Sequence, residues 1–182
     1  MSQRNSEYAR LPNEAYYTPS WVTEALCDAV DLPRVVWEPA AGNGAIKRVL
    51  EARGHQVHAT DLNADTALGI AKRDFLLSAL VAADTRGIVS NPPYGCAQQF
   101  VERAIALMKA TRGMVAMLLR VDWDSAKTRS HLFRDCPAWG RKIVLTKRIR
   151  WIEGSTGSPS ENHAWHVWSW RHRGHPTIGY AP

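Results

Sequence analysis

Apolar and polar positions along this chain switch repeatedly between helical and strand periods, and the switches mark out its elements. After a polar arm over residues 1–15, apolar side chains at Trp21, Val22, Ala25, Leu26, Ala29 and Val30 recur at helical spacing. Thr18 or Ser20 can cap that helix, Pro19 suits its first turn, and Pro33 ends it. A short strand over Val35–Glu38 runs into a glycine turn, and a helix from Ala45 to Arg53 closes on Gly54. Val57–Thr60 is the second strand, ending at Asp61, and a weak third lies near Ile70 before a helix expected over Phe75–Ala83. Gly87–Ser90 is the fourth strand. A helix over Ala97–Ala110 then sets Phe100, Ala104, Leu107 and Met108 on one side. Met114–Val121 is nearly all apolar, as a central strand covered on both faces should be. Asp122–Cys136 reads as a helix stopped by Pro137, and Lys142–Arg148 and Ala164–Trp170 read as two further strands. Strands alternating with helices predict a single α/β domain built on a seven-stranded, mostly parallel sheet flanked by helices.

Two stretches bring chemistry to this frame. The first is Glu38-Pro39-Ala40-Ala41-Gly42-Asn43-Gly44, a strand, glycine turn and helix start of the kind that opens a nucleotide-binding unit. Gly42 and Gly44 permit close approach of backbone to a ligand, and Asp61 follows Gly42 by 19 residues, the separation at which a carboxylate meets ribose hydroxyls. A dinucleotide fingerprint would need a third glycine where Lys47 stands. The second stretch is Ser90-Asn91-Pro92-Pro93-Tyr94-Gly95. Asn91 supplies an amide oxygen that accepts from an amino group, Pro92 and Pro93 stiffen the turn, and Tyr94 offers a face for a planar ring. Together they form a cup for a flat molecule bearing an exocyclic NH2. Cys96 lies beside the cup, but no histidine is near it in sequence, and it is not assigned as a nucleophile.

Asn91-Pro92-Pro93-Tyr94 resembles the catalytic motif of the S-adenosylmethionine-dependent amino-methyltransferases, and is most similar to that of small phage-type DNA adenine-N6 enzymes. The resemblance spans roughly residues 16–170. It implies a Rossmann-like methyltransferase fold with a reversed last strand and S-adenosylmethionine as cofactor. Tyr17, Thr18 and Pro19 would hold the methionine end of that cofactor, with Glu38, Pro39, Ala40, Gly42 and Gly44 around the turn. Asp61 and Leu62 would face the ribose, Asp74 and Phe75 the adenine, and Asn91 the transferred methyl. Asn91, Pro92, Pro93 and Tyr94 would be the catalytic set, and the reaction would be methylation of adenine N6 in DNA. The same cup also serves enzymes acting on adenine in RNA or on the glutamine amide of proteins. A non-catalytic nucleic-acid-binding module is the alternative of another class.

Charge adds a partner. Residues 1–90 carry 9 Lys and Arg against 11 Asp and Glu, whereas residues 91–182 carry 14 against 6. The excess lies in the half that follows the cup and suggests nucleic acid. Arg129, Arg141, Lys142, Lys147, Arg148 and Arg150 are the expected phosphate contacts, and the Gly- and Ser-rich loop 153–163 is the candidate for approach to base edges. No separate target-recognition domain is expected within residues 16–182. Three scattered cysteines suit neither a disulfide framework nor a zinc site, and no metal is expected. An N-terminus without an apolar signal core, and no run of about 18 apolar residues, point to a cytoplasmic protein without a membrane span. Trp165, Trp168 and Trp170 are read as packing rather than as a base-stacking platform.

Overall fold

The apolar run 114–120 shows how the molecule is layered. Successive side chains on a strand point to opposite faces, and Val115, Met117 and Leu119 enter one core while Ala116 and Leu118 enter another. A computed structural model describes residues 17–79, 81–151, 159 and 161–182, so the polar arm and most of the loop 153–163 lie outside the described residues. The run forms β5 (Met114–Arg120) of an eight-stranded sheet. Its companions are β1 (Val35–Glu38), β2 (Gln56–Asp61), β3 (Ile70–Lys72), β4 (Gly87–Ser90), β6 (Trp139–Leu145), β7 (His163–Ser169) and β8 (Thr177–Ala181). Helices α1 (Ser20–Ala29) and α2 (Ala45–Ala52) cover one face, through Val22, Leu26, Ile46 and Leu50. Helix α3 (Ala97–Thr111) covers the other, through Phe100, Val101, Ala104 and Met108.

The strand order is β3-β2-β1-β4-β5-β7-β6-β8. From β1 the chain builds outward through β2 and β3, then returns to lay β4 on the other side of β1, with all these pairs parallel. The order therefore reverses between β1 and β4, where open α/β sheets bind ligands beyond the strand carboxyl ends. β7 alone runs against the rest: it is antiparallel to both β5 and β6, while β8 is parallel to β6.

The expected elements are corrected in three places. The sheet has eight strands rather than seven: the strand expected to be reversed, over Ala164–Trp170, is β7 and does run antiparallel, and β8 follows it. β8 lies in the tail, where Ile178 and Tyr180 are 65% and 74% exposed, so its sequence carries no buried pattern. It is held by the backbone ladder to β6. Residues 122–136 form two 3₁₀ segments, Trp123–Ser125 and Lys127–Leu132, broken by an extended Ala126 (φ −80°, ψ 132°). No α-helix forms among the described residues of 75–83, where Asp74 instead caps a turn by accepting from the amides of Leu76 and Leu77.

Trp165, Trp168 and Trp170 are structural. Trp165 and Trp168 are 0% and 1% exposed, and their indole N–H groups donate to the carbonyls of Val22 and Leu132. Trp170 is partly buried and donates to the Ile105 carbonyl. Among the described residues, no helix is long and apolar enough to cross a membrane.

Candidate functional site

β1 ends at Glu38, and the chain must turn sharply to enter α2. Gly42 (φ +52°) and Gly44 (φ +73°) take left-handed conformations that favour glycine. The turn is braced from the next strand: Gly42 N donates to Asp61 Oδ2 at 2.9 Å, and Asn63 N donates to Oδ1 at 2.8 Å. Ala41 N also donates to the Thr60 carbonyl at 3.0 Å. Asp61 is thereby fixed at the carboxyl end of β2, half-buried, with lone pairs left over for a diol.

Glu38 is 1% exposed, and its Oε2 is buried without a hydrogen-bond partner among the described residues. Burial pushes its carboxyl well above the usual range; an amide donated from Lys47 acts in the other direction. A buried carboxyl oxygen in this state can take a further hydrogen-bonding or charged partner, and ionisation would require one.

One cavity of about 740 Å³ collects these groups. Glu38, Pro39, Ala40 and Gly42 line it, as do Tyr17 and Thr18, Asp61 and Leu62, Asp74 and Phe75, and Asn91 and Pro93. The glycine turn and the cup, 49 positions apart in the chain, therefore open on the same space. Thr18, buried at the entry to α1, joins them: the Asn91 amide nitrogen donates to Thr18 Oγ1 at 3.3 Å. The amide oxygen is the acceptor of that side chain. Phe75 stands edge-on to Trp37 (centroids 5.1 Å) and leans on Phe100 (4.7 Å), which makes it a rigid wall.

Some expected residues sit elsewhere. Pro19 lines a neighbouring groove, Pro92 is buried, and Pro92, Tyr94 and Gly44 are not on the cavity wall. Cys96 lines the cavity beside Pro93, whose carbonyl accepts weakly from its thiol at 3.7 Å.

His163 is a site residue that sequence reasoning missed. Its Nε2 shares a 2.8 Å hydrogen bond with the Tyr94 hydroxyl. Residues 94 and 163 meet because β7 is reversed, which brings its first residue opposite Arg120 at the ligand end of β5. His163 is 1% exposed, and burial, with the Arg120 charge adding to it, lowers its pKa to about 4. It is neutral at pH 7 and anchors Tyr94 as a neutral partner. No sequence signal marked it, since its chemistry depends on a contact 69 residues away.

The basic residues divide into two groups. Lys142 is locked to Asp124 at 2.7 Å with its side chain 13% exposed. Arg141 donates to the Ala29 carbonyl, and Arg129 donates to the Trp123 carbonyl while lying 4.5 Å over the Trp123 ring. Those three side chains are partly buried. Lys147, Arg148 and Arg150 are exposed and line a second groove beside Pro19.

No family model matches the sequence, and no curated protein matches it significantly. Solved structures do match. A proposed class I S-adenosylmethionine-dependent methyltransferase from Listeria monocytogenes superimposes with a TM-score of 0.61 at 13% identity, over 87% of this chain and 62% of that one. The fold is that of the Rossmann-like methyltransferases. A type I restriction-modification methyltransferase subunit from Streptococcus thermophilus gives 0.58 at 15% identity, over 87% of this chain and 45% of that one. The 23S rRNA methyltransferase ErmE gives 0.58 at 16% identity, over 85% and 68%. The chain thus spans 62% and 45% of the length of the first two of these methyltransferase-fold proteins.

Proposed function

We propose that this protein transfers a methyl group from S-adenosylmethionine to the N6 amino group of adenine in DNA. The observation that carries this reading is the shared cavity: Asn91 of the cup and the turn at Gly42 face one space, closed at the side by Thr18. The residues fit the cofactor. Glu38 offers its unpartnered buried oxygen to an ammonium, the left-handed turn at Gly42 opens the backbone to close approach, and Asp61 presents a braced carboxylate to a ribose.

When bound, the sulfonium supplies an electrophilic methyl carbon, so no group of the chain need act as a nucleophile. The work of the chain is orientation. Asn91 Oδ1 and the Pro92 carbonyl accept the two N–H bonds of the adenine amine, drawing its nitrogen toward a tetrahedral geometry with the lone pair aimed at the methyl. The cofactor would supply the methyl group to the amine and keep its sulfur as a neutral thioether, and the surplus proton would leave the nitrogen to water. Tyr94, tethered by His163, stacks on the base, a contact worth roughly 1–3 kcal/mol.

The test is incubation with methyl-labelled cofactor and separate DNA, RNA and protein substrates, followed by nucleoside analysis. Label in N6-methyladenine of DNA is expected; label in protein alone overturns the substrate. Asn91→Ala should lower kcat by about 10²–10³-fold or more, with cofactor affinity by calorimetry little changed. Full activity in that variant removes the cup from the mechanism.

A further inference from the structure

A second cavity, about 1350 Å³, adjoins the first and shares Tyr17, Thr18, Asn43 and Ala45 with it. Its walls carry Arg48 from α2, Arg53 just past its end, and Lys147, Arg148 and Arg150 from the segment after β6, against one acid among the described residues, Glu24. Arg48 and Arg53 belong to the half of the chain with no basic excess, and only the fold sets them opposite the others. The cations are held on the walls. Arg53 is ion-paired to Asp28 at 2.7 Å, Lys147 lies 5.0 Å over the Trp21 ring, and Arg148 donates to Asn162 and to the Pro159 carbonyl.

Aromatic residues stand among the charges: Tyr17, 53% exposed, with Trp21 and Trp151. Two residues of the groove connect it to the reaction site. Tyr17 packs over Gly42, within 3.5 Å of where a Cβ on that glycine would sit, and is common to both cavities. Trp151 meets His163 edge-on (5.1 Å), and His163 holds the Tyr94 hydroxyl.

We infer that this groove binds an unpaired stretch of nucleic acid and leads one of its bases to the cup; the role of the cup rests on the function proposed above. Cations alone would suit any polyanion. Cations set among aromatic rings suit a strand whose bases are free to stack, whereas in a duplex the faces of the bases are already covered by neighbouring base pairs. A single strand also enters the cup without the cost of extruding a paired base.

The test is fluorescence anisotropy with a short adenine-containing single-stranded DNA, the same sequence as RNA, and the blunt duplex, over a range of salt, without cofactor. Because no cofactor is present, failure of the methyl-transfer reading leaves this measurement intact. Single strands should bind at least about tenfold more tightly than duplex. Combined Lys147→Ala, Arg148→Ala and Arg150→Ala substitutions should lower the slope of log affinity against log salt by about 2. Tyr17→Ala, at an exposed position, should weaken binding about tenfold, with its thermal midpoint unchanged. Single-stranded RNA bound as tightly as DNA supports the groove and reassigns the sugar. Tighter duplex binding, no binding of any strand, or variants with wild-type affinity and salt slope overturn the inference.

Discussion

Glu38 and Asp61 are both acids at strand ends, yet their surroundings give them different tasks. Asp61 accepts two backbone amides, which hold its carboxylate and the glycine turn together. Glu38 is buried with one oxygen unpartnered, and burial raises its pKa. If that oxygen receives the cofactor's ammonium, it must be ionised to do so. Cofactor affinity should therefore rise with pH as Glu38 loses its proton, and level off once it is fully ionised. Glu38→Gln should bind about tenfold or more weakly and lose the pH dependence, as read by calorimetry from pH 5 to pH 8. An unaltered profile in that variant would separate Glu38 from the ligand.

At the scale of elements, reversal of a single strand assembles the cup. β7 runs against β5 in continuous register from Met114 opposite Ser169 to Arg120 opposite His163, so its first residue arrives where the parallel strands end. The Tyr94–His163 hydrogen bond follows from that register. His163→Phe keeps a flat aromatic ring, somewhat larger, and removes the bond. It is expected to lower kcat by about tenfold or more while cofactor affinity stays within twofold, and His163→Gln, which can still bond the hydroxyl, should recover part of the loss. An equal fall in both parameters would indicate structural damage instead. The same strand fastens α1, because Trp165 Nε1 donates to the Val22 carbonyl at 2.8 Å in a fully buried setting. Trp165→Phe should cost about 0.5–1.5 kcal/mol in chemical denaturation, since it removes a buried hydrogen bond between the strand and the helix.

Across the whole molecule, buried titratable groups make stability depend on pH in opposing directions. His163 and His166 are both lowered to about 4, His166 by burial inside an aromatic cluster with Trp139 and Trp168. Each is neutral when folded and protonates near 6.5 when unfolded, so their contribution is present above about pH 6.5 and lost as pH falls toward 4. Glu38, with its raised folded pKa, acts the other way: its contribution is present at low pH and lost as pH rises. A Glu38→Gln background should thus expose the histidine term. Denaturant stability of that variant is expected to fall between pH 7 and pH 4 by about 3 kcal/mol for His163 alone, and adding His163→Phe should flatten the curve by that amount.

What the order of residues determined by itself was local. The period of apolar positions placed β1, β4, β5 and α3 within a residue or so, because a buried face imposes its spacing on neighbouring residues. The glycine turn and the cup were legible for a similar reason: left-handed glycines and stiff prolines act within a few bonds. Tertiary structure alone decided which of these pieces share a cavity. Strand order set Gly42 beside Asn91, the reversal of β7 delivered His163 to Tyr94, and Asp124 took Lys142 out of the basic surface. Strand order also set Arg48 and Arg53 across from Lys147. Such contacts join residues up to a hundred positions apart, and no periodicity or spacing encodes them. They depend on how the sheet is wound and on which charges its faces bring together.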